Sequence, residues 1–247
     1  MTSAPTLLMA GATGLALGSY AVTAGLRFAR GEASTMGRSH CDACGCSLPF
    51  AETVPVLSYL LARGACARCR AGIDPIHLVG ELAGLTVVVA AAWTFDPVRT
   101  PLLSLLGLTL VAASAIDWKI QRLPDALTLI IAACAALLAS TRSQSALLEG
   151  IVAALAAGLI LLALRAIGRR VRNEPGLGLG DVKLVAALAL WLGAWTPWMV
   201  VGAAIAGLTA AIVTRKTDQR HPFGPFIALS AWVIGMGLEQ TQWPTPA

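Results

Sequence analysis

Four long runs of this chain carry no charged residue: 6–26, 101–116, 184–214 and 223–238. A helix needs roughly 17–25 mostly apolar residues to cross a bilayer. Charged residues make up 13% of the 247, against about 25% in a soluble domain. The chain therefore crosses a membrane several times and builds no large water-facing core. Eight apolar segments are expected: 6–26, 78–95, 101–117, 124–140, 147–165, 181–195, 198–214 and 223–239. The first has no basic residue before it, so it reads as a span rather than a secretory signal. The segment 101–117 is short for a span, which would let polar groups at its end sit deep.

The basic residues give these segments a direction. Connections alternate between two sides, and all but two of the 18 Lys and Arg residues fall on one of them. The exceptions are Arg99 and Arg142. Short loops rich in Lys and Arg stay in the cytoplasm. The loop 27–77, the connections 118–123, 165–183 and 215–222, and the face they share are thus expected to be cytoplasmic. The net charge of +5 reflects this bias, and no nucleic-acid partner is expected. The partner read from composition is the lipid bilayer.

The loop 28–77 holds two knuckles, Cys41-Asp42-Ala43-Cys44 and Cys66-Ala67-Arg68-Cys69, with 21 residues between them. Two C-x-x-C pairs at that spacing read as a four-thiolate zinc site. Such a site is closed, so the Zn²⁺ is structural and staples a loop too small for its own core. A cytoplasmic loop favours zinc over disulfides. Unligated or redox thiols are the alternative. Cys46 reads as a spare thiol or substitute ligand, and Cys134, inside an apolar segment, as a small core residue.

Acids in or beside spans are functional candidates. Glu149 opens a span on the outer side and reads as complementing a helix N-terminus. Glu81 lies one turn inside the second span, where it could pair with a loop arginine or shape a site. Asp117 ends the third span, Asp125 opens the fourth, and Asp181 opens the sixth in Gly178-Leu179-Gly180-Asp181-Val182-Lys183. These three aspartates share the cytoplasmic face. Singly, Asp125 and Asp181 read as helix N-caps, and Asp117 as a partner for a basic neighbour. Together, two carboxylates from different helices could share a proton and activate water against a peptide bond. Gly178 and Gly180 would allow close approach beside Asp181. A carboxylate-dependent transporter would instead place acids near mid-bilayer. A non-catalytic assembly protein would leave the aspartates without a role.

Four ordered blocks resemble the bacterial type IV prepilin peptidases. They are the cysteine loop with Glu52-Thr53-Val54-Pro55 between its knuckles, Ile116-Asp117 with Leu123-Pro124-Asp125, Gly178 to Leu184, and Pro222-Phe223-Gly224-Pro225-Phe226. The resemblance implies catalytic roles for Asp117 and Asp181, with Asp125, Gly178, Gly180, Lys183 and Glu81 in support. It implies a multi-pass protein of the bacterial inner membrane. That protein would cleave the basic leader peptides of type IV prepilins or pseudopilins at the cytoplasmic face. N-methylation of the new N-terminus with S-adenosylmethionine is a second implied activity. Two positions depart from the family pattern. Val22 stands where the family carries Asn, and Ile76-His77-Leu78 replaces Arg-Tyr-Pro. The expected organisation is a first transmembrane helix (1–27), a four-cysteine zinc loop (28–77), a transmembrane aspartic peptidase core (78–240) and a disordered tail (241–247). The expected fold class is an all-α polytopic membrane protein of about eight transmembrane helices with a small cytoplasmic zinc-binding subdomain.

Overall fold

The structure is a computed structural model that describes residues 4–32, 38–93, 96–172, 177–214 and 222–242. Its helices are α1 (Ala4–Ala29), α2 (Leu57–Leu61), α3 (Pro75–Ala92), α4 (Arg99–Ile120), α5 (Asp125–Arg142), α6 (Gln144–Arg172), α7 (Leu179–Leu192), α8 (Thr196–Thr214) and α9 (Gly224–Gln242). There is no strand among the described residues. Six helical stretches are long and apolar enough to cross a membrane: α1, α3, α4, α5, α6 and 179–214. The last breaks into α7 and α8 at a 3-10 turn, Gly193–Trp195. The polar end of α9, which includes Glu239, Gln240 and Thr241, keeps that helix outside the six. Residues 243–247 of the expected tail lie outside the described residues, and α9 continues through Gln242.

The third segment is longer than its apolar run suggests. α4 has 22 residues, about 33 Å of helix, so it is not a short span. Hydropathy missed its first turn because that turn carries Arg99. Arg99 is only 3% exposed, and its Nη1 donates to Glu239 Oε2 of α9 at 2.8 Å. Arg142, at the end of α5, donates to the other oxygen of Glu239. Trp191 Nε1 of α7 donates to that same oxygen at 2.8 Å. Arg142 Nη1 also donates to the Trp191 carbonyl at 2.8 Å. One buried carboxylate thus joins α4, α5, α7 and α9 at the end remote from the cysteines. The two arginines that depart from the charge bias are both folded inward onto it.

Helix α1 packs against α3 with its backbone approaches made at glycines. A Cβ on Gly18 would stand 2.3 Å from the Gly80 carbonyl oxygen, and one on Gly84 would stand 2.3 Å from that of Gly14. Small residues spaced four apart on both helices let backbones touch where lipid offers no hydrophobic drive for association. The pairing of Gly14 with Gly84 and Gly18 with Gly80 makes the crossing antiparallel. On the other side of the molecule, a Cβ on Gly150 of α6 would stand 2.2 Å from the Leu190 carbonyl oxygen of α7. Glu149 does not serve its own helix start. Its Oε1 accepts the Ala194 amide at 2.9 Å and braces the turn between α7 and α8. The main core lies between α4, α5, α7 and α9, with Leu103, Leu106, Ile131, Leu138, Leu188 and Ile227 fully buried.

Removing one member of a buried ion pair leaves the others charged and unpaired, at a cost of about 3–5 kcal/mol. Glu239→Ala is therefore expected to lower unfolding stability in detergent by about that amount, with Glu239→Gln losing less because it keeps an acceptor for Trp191. Equal denaturation midpoints for wild type and Glu239→Ala would contradict the role given to this carboxylate.

Candidate active site and metal centre

All the elements that carry chemistry end at one face. The last turn of α4, the first turns of α5, α7 and α9, and the cysteine loop between α1 and α3 meet there. Asp117 lies three residues before the end of α4 and is 8% exposed. Its Oδ2 accepts the backbone amide of Gly224 at 2.9 Å. Gly224 opens α9, and a Cβ there would stand 2.8 Å from that same oxygen. The glycine of Pro222-Phe223-Gly224-Pro225-Phe226 is therefore required for space, and its amide orients the Asp117 carboxylate.

Asp181 is not the N-cap of its helix. Gly178 holds that position, with Asp181 at the third residue of α7. Its carboxylate lies back against Gly178, the direction taken by the third-residue side chain of a capping box. A Cβ on Gly178 would come within 2.9 Å of Asp181 Oδ2, and one on Gly180 within 3.0 Å of the Leu123 Cβ. Gly180 so brings α7 against the 121–124 connection, and Gly178 makes room for the Asp181 carboxylate. Neither has positive φ; both are needed for close approach. Asp181 stands near enough to Asp117 for the two charges to repel each other. Two carboxylates on separate helices, each lying against a glycine, thus stand near one another at partly buried positions.

The remaining candidates stand around this pair rather than in it. Asp125 is not an N-cap either; Pro124 precedes it at that position and no side chain caps the helix. Its exposed carboxylate accepts Lys183 Nζ at 2.6 Å, tying α5 to α7 beside the pair. This is a surface contact, of a kind worth about 0–1 kcal/mol. Glu81 is 7% exposed and sits apart. Its oxygens accept Ser19 Oγ of α1 at 2.8 Å and the Val56 amide of the cysteine loop at 2.7 Å. Its partners are thus a hydroxyl and an amide in place of the loop arginine expected as one option. Val56 adopts φ 62°, a costly conformation for a β-branched residue, which Glu81 holds in place. Asp74 caps α3 through the Ile76 amide at 3.0 Å and receives Lys119 of α4. Neither the Val56 nor the Asp74 contact is visible in local sequence.

The cysteine loop contains two copies of one turn. The bridges His40–Ser47 and Ala65–Gly72 stand 25 positions apart at both ends. In each copy the first cysteine carbonyl accepts an amide four residues on, Gly45 at 2.8 Å and Arg70 at 3.0 Å. Both of those residues have positive φ. The repeat is hidden in sequence because glycine fills the position once and arginine the second time. The Sγ atoms of Cys41, Cys44, Cys66 and Cys69 all lie within 4.8 Å of one another. Cys41 and Cys69 are 3.8 Å apart. A tetrahedral site with metal–sulfur bonds of about 2.3 Å sets its sulfurs about 3.8 Å apart. The backbone amides of Cys69 and Arg68 draw the Cys66 thiol down to about 6, so it serves readily as a thiolate. These four residues fit a metal ion. Cys46, with its sulfur 3.1 Å from that of Cys44, is pushed up to about 12 by that contact and stands as the spare thiol. Cys66→Ser is expected to lower metal bound per chain well below that of wild type, measured by elemental analysis of purified protein. Full metal retention would remove Cys66 from the ligand set.

Two family models match. Residues 12–95 match the Bacterial Peptidase A24 N-terminal domain, and residues 104–214 match the Type IV leader peptidase family. The chain is 34% identical over 199 residues to the Prepilin leader peptidase/N-methyltransferase of Dichelobacter nodosus, covering 79% of this chain and 69% of that protein. It is 36% identical over 199 residues to the protein of the same description in Burkholderia pseudomallei, covering 77% and 64%. It is 34% identical over 196 residues to the Type 4 prepilin-like proteins leader peptide-processing enzyme of Escherichia coli O78:H11, covering 78% and 72%. The chain thus spans about two thirds of the length of these relatives. No solved structure matches it. Matched at both its cysteine-bearing and its aspartate-bearing parts, the chain belongs to the type IV leader peptidase family.

Proposed function

We propose that this chain is an aspartic endopeptidase of the bacterial inner membrane that removes the leader peptide of type IV prepilins or pseudopilins. What supports the mechanism is that Asp117, held by the Gly224 amide, stands near Asp181 at the same helix-end face. In the mechanism, one carboxylate takes a proton from water as the water attacks the scissile carbonyl. The other, protonated, donates to the carbonyl oxygen. The proton gained by the first then passes to the leaving amine. No covalent intermediate is formed. Gly224 and Gly178 hold the two carboxylates in register. Asp125, Lys183 and the two glycines before Asp181 hold the helices that carry them.

The site faces the cytoplasm in this reading, because the loops at its end carry nearly all the Lys and Arg residues. Eight crossings follow if α7, α8 and α9 each span, which returns the chain to the same side after every pair of helices. The four cysteines hold a structural Zn²⁺, which folds the loop that Glu81 and Asp74 tie to the membrane helices. A transporter reading is disfavoured by the placement of charge. Among the described residues, the buried acids Asp117 and Glu239 lie toward helix ends, and Glu81, the seventh of 18 residues in α3, is held by Ser19 and the Val56 amide. Two of the three relatives named above also carry N-methyltransferase in their descriptions. Where the family carries Asn, this chain has Val22, 1% exposed and packed on Gly80.

Asp117→Asn and Asp181→Asn are each expected to reduce cleavage of a leader-bearing prepilin in liposomes by at least about 10³-fold, given the interdependence of catalytic groups. Both should keep the wild-type unfolding midpoint to within about 1 kcal/mol. Cleavage that survives either change would break the assignment of the pair. A gain of one methyl group on the mature N-terminus, with S-adenosylmethionine supplied, would assign the second activity as well.

A further inference from the structure

Two lateral grooves flank α4. The first, of about 670 Å³, lies between α3, α4 and α9, and the second, of about 590 Å³, lies between α1, α4 and α5. The first runs along α4 from Trp118 to Gly107, roughly 17 Å of helix. Its upper end is formed by Trp118 and Pro225. These are the chain neighbours of Asp117 and Gly224, whose hydrogen bond orients the carboxylate. From there the groove descends away from the cysteine loop toward the middle of the bundle. Its walls carry small residues, Gly80, Ala83, Gly107 and Ala228. Its rim is open to the surroundings of the bundle, with Val79 62% and Leu229 57% exposed. The second groove reaches Ile116 but holds no residue of α9.

We infer that the first groove receives the hydrophobic helix of the substrate, the segment that follows the scissile bond. This inference rests on the leader peptidase reading and says how that site takes its substrate. Such a segment is already in the bilayer, so it reaches the aspartates sideways through lipid and not from water. A groove that ends at Trp118 and Pro225, the chain neighbours of Asp117 and Gly224, lets the first turns of the helix seat while the preceding peptide bond lies at Asp117. Lipid matches the apolarity of the groove walls, so burial alone gives no attraction; close packing against small residues does. Selection by this groove is therefore by helix shape, with bulk along one face as the feature it rejects.

The test compares two substrates in liposomes: a full prepilin, and a leader peptide that ends a few residues past the cleavage point. Ala83→Leu fills the first groove, and Ala24→Leu fills the second as a control. Ala83→Leu is expected to lower kcat/KM for the prepilin relative to the short peptide by about ten-fold or more, the scale of a modest packing clash. Ala24→Leu should leave that ratio unchanged. A photo-crosslinking residue at Leu229, in an Asp181→Asn background that holds substrate uncut, should capture the prepilin helix. The same residue at Leu155 on α6 should not. An unchanged ratio in Ala83→Leu, or capture of lipid alone from Leu229, overturns the groove assignment. Equal loss on both substrates also overturns it, since that reports damage to the aspartate site. If wild type cleaves no prepilin, the peptidase reading itself fails, and that outcome is distinct from the other three.

Discussion

Hydrocarbon offers no hydrogen-bond partner, so each buried polar group in this chain must be satisfied by the protein itself. That constraint orders the fold. Charges are driven to helix ends, and those that stay buried are drawn together. At the face remote from the cysteines, Glu239 gathers Arg99, Arg142 and the Trp191 indole. At the opposite face, Asp117 accepts the Gly224 amide and stands near Asp181, and neither has a basic hydrogen-bond partner among the described residues. The first cluster sets two arginines against one carboxylate and serves as a clasp. The second leaves two acids without a basic partner among the hydrogen bonds of the pair, and that is the arrangement a proton-transfer site requires. Both clusters involve α4, α7 and α9, so the clasp at one end helps fix the helices whose other ends hold the acids.

Glycine supplies the geometry at each critical approach. It joins α1 to α3, α6 to α7, and the α9 start to Asp117. In the first two cases a side chain would separate backbones that must touch. In the third it would displace the carboxylate. The cysteine loop is attached to this framework by polar contacts from α1, α3 and α4, among them Arg27 Nη2 to the Arg38 carbonyl at 3.2 Å. Glu81 holds Val56, and Lys119 holds Asp74. A metal at the four cysteines thus organises a small lid whose position is read by residues at the α1–α3 contact and beside Asp117.

Much of this was legible in the residues alone. Uncharged runs mark the long helices because a bilayer admits few charges. The cysteine spacing marks the metal site because a four-thiolate centre needs two tight turns. The aspartates stand out because acids at span ends are costly. What stayed hidden depends on partners distant in sequence. The length of α4 was missed because Arg99 reads as a loop charge until Glu239, 140 positions on, is seen to neutralise it. Asp125 and Asp181 were read as possible N-caps, but Pro124 and Gly178 take those positions. The partners of Glu81 were open because one is an amide held by an unusual backbone angle at Val56. The duplicated cysteine turn was missed because Gly45 and Arg70 share a conformation and no chemistry.

The central claim is that Asp117 and Asp181 face each other across two helices. The most direct measurement replaces both with cysteine, in a chain whose Cys46 and Cys134 are Ala and whose other four thiols carry metal. A short bifunctional thiol reagent that fluoresces only when both ends have reacted then reports proximity. The account predicts strong fluorescence from the double variant and background from either single one, with the bridged peptides identified by mass. Equal, background-level signal from all three would place the two positions apart and contradict the shared site.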